Sequence, residues 1–83
     1  MRRYFFHLRD GAELLPDPDG RWLGGPDEVP GAALRDARSI IAEDARDGRI
    51  RLDQRIEIED EARELVHRLE FLHAVEIVWP VVR

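Results

Sequence analysis

The sequence predicts an α+β domain in which one helix lies over a single antiparallel β-sheet, in the order β-β-α-β-β, with the C-terminal stretch open between a fifth strand and a dimer edge. Three observations carry that prediction. The chain opens with an aromatic run that alternates in period two and closes on Asp10-Gly11. A single apolar stripe at helical spacing occupies the middle, and two further strand-like runs follow it. With 83 residues the chain fits one domain, 1–83, and leaves no room for a separate catalytic one.

In the opening strand, residues 3–9, Tyr4, Phe6 and Leu8 fall on one face and Phe5, His7 and Arg9 on the other. Asp10-Gly11 signals a tight hairpin, returning through Glu13-Leu14-Leu15. Asp17-Pro18-Asp19-Gly20 reads as a second turn, with Gly20 suited to positive φ, and Arg21-Trp22-Leu23 as a short strand continuation. Residues 28–46 read as the helix: Asp27 is expected to cap it, and Pro30 sits in the first turn, where a missing donor costs little. Val29, Ala33, Ala37, Ile40 and Ile41 form its stripe, and Gly48 is suited to the left-handed residue after its last turn.

Beyond the helix, residues 55–59 set Ile56 and Ile58 against Glu57 and Glu59, as in a strand with one wet face. Residues 60–63 make the turn. Residues 64–71 make the next strand, with Leu65, His67, Leu69 and Phe71 expected inward and Val66, Arg68 and Glu70 outward. The expected core joins Tyr4, Phe6, Leu8, Ile40, Ile41, Ile56, Ile58, Leu65 and Leu69. The tail from Ala74 is apolar and β-branched, and Pro80 confines it to an edge strand or an arm.

Composition narrows function by exclusion. All thirteen basic residues are Arg; against eighteen acidic residues they leave a net charge of -5, which disfavours generic nucleic-acid binding. There is no Cys, and the sequence also lacks Lys, Thr and Asn, which removes thiol, Schiff-base and thiolate-metal chemistry. The apolar start breaks at His7, Arg9 and Asp10, short of an export signal, and nothing approaches a membrane span. The cytoplasm is the expected compartment.

The run Arg3-Tyr4-Phe5-Phe6-His7-Leu8-Arg9-Asp10-Gly11, the turn at Asp19-Gly20, the Ala-rich helix and the hairpin from Arg55-Ile56-Glu57-Ile58 to Leu69-Glu70-Phe71 resemble a family of small bacterial proteins. That family opens with Arg-Tyr-Phe-Phe followed by Asp-Gly and is a domain of unknown function. The resemblance spans about residues 2–77. It implies one compact domain and brings no activity, cofactor or catalytic residue with it. Two features depart from the pattern: Gly24-Gly25-Pro26 reads as extra loop, and residues 79–83 run on past the expected end.

Candidate chemistry is sparse. Ser39 sits mid-helix without the strand-turn-helix elbow of a nucleophilic serine. Glu57, Glu59 and Glu70 read as a wet sheet face balanced by Arg9 and Arg68 rather than as an acid-base pair. His7, His67 and His73 have no metal-ligand spacing, and His7 and His67 fall on opposite faces. A calcium-loop reading of residues 15–26 fails, with Leu15 and Pro26 at ligand positions. No catalytic, cofactor-binding or metal residue is therefore expected. The candidate interaction surface is Ile77, Val78, Trp79, Val81 and Val82, and a weaker candidate is the face of Phe5, His7 and Arg9, which has the stacking character of single-strand RNA readers. The expected function is a noncatalytic protein-interaction or adaptor module, a homodimer through its C-terminal segment. The alternative is a small enzyme or ligand-binding protein with its site at an oligomer interface.

Overall fold

The computed structural model describes residues 1–81, so the candidate residue Val82 lies outside the described residues. Chain order is β1 (Arg2–Asp10), β2 (Glu13–Leu15), β3 (Arg21–Leu23), a 3-10 turn (Pro26–Glu28), α1 (Val29–Arg46), β4 (Gln54–Glu59), β5 (Leu65–Glu70) and a second 3-10 turn (Phe71–His73). All pairings are antiparallel. The sheet runs β2-β1-β4-β5, and β3 pairs the first half of β1 along the edge that β2 takes further on. The fifth strand is thus the short 21–23 segment. Residues 76–81 of the tail form no strand.

The helix stripe needs a sheet to cover it, and the alternation of β1 and β4 supplies one. Tyr4, Phe6, Ile56 and Ile58 meet Val29, Ala32, Ala33, Ala37 and Ile41, while Phe71 and Ala74 belong to the same core cluster. Three alanines on that face let the helix axis approach the sheet closely, so the large side chains come from the strands. Ile56, Ile58 and Phe71 are the largest fully buried side chains, each worth roughly 1.5–3 kcal/mol of transfer free energy. Ile40, Leu8 and Leu69 are only partly buried and pack around the margin.

Two local expectations are corrected. Asp27 does not cap α1; the chain enters through the 3-10 turn, where the Glu28 amide donates to the Gly25 carbonyl (3.2 Å) and the Gly25 amide donates to Glu28 Oε2 (3.1 Å). Leu65 is not in the core. The register moves from Ile58 opposite His67 to Glu59 opposite Leu65, so β5 carries one extra residue and the parity of its side chains flips there. Leu65 therefore stands beside Glu59 on the outer face, 50 % exposed. Phe71 is inward as expected, from the 3-10 turn rather than from the strand.

Candidate functional site

The strand register builds the outer face row by row. Phe5 lies opposite Glu59, His7 opposite Glu57 and Arg9 opposite Arg55, and β5 extends these rows with Leu65, Arg68 and Glu70. Side chains then pair along the diagonals: Arg9 Nε donates to Glu57 Oε1 (3.1 Å), His7 Nε2 contacts Glu59 Oε1 (3.0 Å), and the Arg3 amide donates to Glu61 Oε1 (3.4 Å). Arg55 lies 3.5 Å from Glu57 and 3.8 Å from Glu70, so Arg55, rather than the expected Arg68, joins Arg9 in balancing this face.

His7 is held from both sides of its ring. The Asp17 amide donates to Nδ1 at 3.0 Å, so Nδ1 is the acceptor, and Nε2 must carry the proton donated to Glu59. Asp17 is in turn the knot of its loop. Its Oδ2 accepts from the Phe6 amide (3.0 Å), and its Oδ1 accepts from the amides of Asp19 (3.3 Å) and Gly20 (3.1 Å). Partial burial would raise its pKa, but these three amides prevail and hold it below the ordinary carboxylate value. Gly20 is obligatory in this turn. Its φ is +68°, and an added Cβ would lie 2.9 Å from the Tyr4 carbonyl oxygen.

At the far end of the sheet Arg51 forks onto Asp10, with Nη2 to Oδ1 at 2.6 Å and Nη1 to Oδ2 at 3.0 Å. That hydrogen bonding lowers the Asp10 pKa and raises that of Arg51.

Arg3 and Arg63, like Arg68 on β5, lack a salt-bridge partner among the described residues. Arg3 places its guanidinium carbon 5.2 Å from the Phe5 ring centre and 5.7 Å from that of Trp22, and its Nε is buried without a hydrogen-bond partner. Arg63 adopts φ +63° in the β4–β5 turn, a conformation that non-glycine residues enter at a cost. Phe5 and His7 stack nearly parallel, at 10° and 6.4 Å. Along β1 these side chains line adjoining grooves of about 310, 400 and 380 Å³; the first two share Arg3 and Glu61, and the last two share His7, Pro16, Glu59 and Arg63.

The remaining candidate residues leave the body. Arg38 Nε donates to the Ala74 carbonyl at 2.8 Å, the last side-chain tether of the described tail. Beyond it Ile77 is 40 %, Val78 80 %, Trp79 79 % and Val81 79 % exposed, on a segment with no secondary structure. His7 and His67 do lie on opposite faces, and no group of three or more His, Asp or Glu among the described residues is placed to hold a metal. No helix of the described residues is long and apolar enough to cross a membrane.

Reasoning from sequence singled out Phe5, His7, Arg9 and the tail, and missed Asp17, Arg3, Arg63 and Trp22 as parts of one face. An Asp preceding Pro-Asp-Gly is a readable signal for an Asx turn. An arginine in the left-handed region carries none.

Taken together, these features define a small α+β domain, one helix on an antiparallel sheet, whose open face bears a groove of mixed charge. The chain belongs to the family described as a domain of unknown function (DUF6894), whose sequence profile matches residues 3–72. No curated protein and no solved structure matches it. The family match ends before the exposed arm begins.

Proposed function

We propose that this chain is a noncatalytic, single-domain interaction module that self-associates through its arm, residues 76–81, in a cytoplasmic setting. The observation that carries the reading is the arm itself: Ile77, Val78, Trp79 and Val81 are exposed together on one extended segment. Apolar side chains gathered in this way mark a surface that becomes buried in an assembly, and Trp is the residue type that most often anchors one. The long dimension of the molecule, 53 Å against 26 and 19 Å, suits a body with a reaching segment.

A second reading, a ligand site formed at an oligomer interface, is favoured by the grooves along β1. Binding to nucleic acid is not part of either, because Glu57 and Glu59 stand in the same rows as His7 and Phe5.

Light scattering tests the leading reading. The intact chain at micromolar concentration is expected to show a dimer mass, and a chain truncated after Glu76 a monomer mass. A monomeric intact chain, or a truncated one of unchanged oligomeric mass, overturns it.

A further inference from the structure

The arm needs a receiving surface, and the molecule offers two kinds. One is the free edge of β5; the other is the chain of grooves along the outer side of β1. The edge is a poor acceptor: His67, Arg68 and Glu70 guard it, a bulge distorts its start, and Pro80 has no amide with which to continue a ladder. The grooves need no backbone ladder. They run beside a nine-residue strand, and a six-residue extended segment spans roughly 20 Å, so the arm fits within the length of β1.

Their chemistry also matches the arm. Arg3 and Arg63 both line the groove of about 400 Å³, and neither has an ion-pair partner among the described residues. The three carboxylates of this groove are each engaged: Glu59 by His7, Asp17 by three backbone amides, and Glu61 by the Arg3 amide at 3.4 Å. What remains free is two guanidinium groups beside an aromatic floor, and a guanidinium over an indole face is the strongest common cation-π pair. Buried area supports a second copy as the occupant. One arm offers on the order of 400 Å² of apolar surface, taking about 200 Å² for Trp79 and about 100 Å² for each aliphatic group and reducing each by its exposure of 40 % at Ile77 and 79–80 % at the others. Two arms with matching receiving surface come to about 1,600 Å², within the range of stable dimers.

Building on the self-association proposed above, we infer that the outer groove of β1 is the seat of the arm of a second copy, with Trp79 inserted between Arg3 and Arg63. The contact is reciprocal, each copy giving an arm and receiving one, as a two-fold dimer requires.

The test separates this seat from self-association itself. A double variant, Arg3→Glu with Arg63→Gly, removes both cations from the groove; glycine is chosen because it keeps the positive φ at position 63. Its dimer dissociation constant in sedimentation is expected to rise at least ~10-fold, with an unchanged circular dichroism spectrum. Trp79→Ala is expected to do the same from the other side. Mixing then supplies the second readout. The groove double variant, which keeps its arm, and a chain truncated after Glu76, which keeps its groove, should each be monomeric alone and form a one-to-one heterodimer together. If the intact chain dimerises through its arm while the groove variant dimerises with unchanged affinity, or if the mixture forms no heterodimer, the seat is wrong and self-association stands. A monomeric intact chain overturns both.

Discussion

The two faces of β1 share one backbone and the same neighbouring strands, yet do different work. Inward, Tyr4 and Phe6 are sealed beneath α1 with Ile56 and Ile58. Outward, Arg3, Phe5, His7 and Arg9 stand in a lattice of half-exposed charge pairs with Glu57, Glu59 and Glu61. Burial on the inner face is worth kilocalories per side chain, whereas exposed ion pairs contribute about 0–1 kcal/mol each. Folding therefore rests on one face, which leaves the other free to be arranged for contact.

The largest effect should come from the inner face. Phe71→Ala is expected to destabilise by about 3–5 kcal/mol and Ile58→Ala by about 2–5 kcal/mol in urea unfolding, because each empties a fully buried site. A loss below about 1 kcal/mol at both positions would break the contrast.

His7 is the exception on the outer face, since its side chain is only 12 % exposed and both ring nitrogens are engaged. His7→Ala leaves the Asp17 amide without its partner, and a loss of about 1–2 kcal/mol is expected. Nitrogen NMR near neutral pH should show the proton on Nε2; a proton on Nδ1 would mean that the loop is held differently.

Asp17 makes the outer face sensitive to pH. Its pKa is lowered in the folded chain from the ordinary 3.8, so its contribution is fully present above that value and is lost as pH falls through the lower folded one. Asp17→Asn is expected to cost about 1 kcal/mol near neutral pH and to flatten this part of the acid limb in a pH series of unfolding midpoints. Asp10, lowered by Arg51, remains in that variant and keeps a residual slope. An unaltered acid limb would remove Asp17 from the account.

Smallest of all should be Arg55→Ala. Its pairs with Glu57 and Glu70 are long, at 3.5 and 3.8 Å, and partly exposed, so a change within about 0.5 kcal/mol is expected in the same assay.

The inner face was the legible one. Period-two alternation fixed the inward sets of β1 and β4, and helical spacing found four of the five buried residues of α1, missing Ala32. Alternation failed at Leu65, where the bulge reverses the parity that the pattern assumes. The short β3 was readable only as a continuation, because three residues are too few to show a period. On the outer face, alternation put Phe5, His7 and Arg9 together but was silent on the loop that grips His7, since the Asp17 contacts join residues ten and eleven positions apart through a turn. The arm was recognisable from composition and from Pro80, whereas its separation from the body depends on where the core runs out of room.

β1 touches β2, β3 and β4, and this central place has a kinetic consequence. Its partners differ greatly in arrival time during synthesis. The β1–β2 hairpin is local and closes within about 1–10 μs of emerging. The pairing with β4 joins residues as distant as Phe5 and Glu59, and at about 5–20 residues per second the ribosome delivers that strand roughly 3–10 s later. Until β4 arrives, Tyr4 and Phe6 lack the central strand that flanks them in the sheet, and Asp10-Gly11 and the 17–20 loop are what hold the nascent edge in a defined shape. Of the strand pairings, the one that brings β4 to β1 closes the longest loop, so Ile56 and Ile58 substitutions should slow folding, while changes in the first hairpin should alter how long the waiting strand stays free of aggregation.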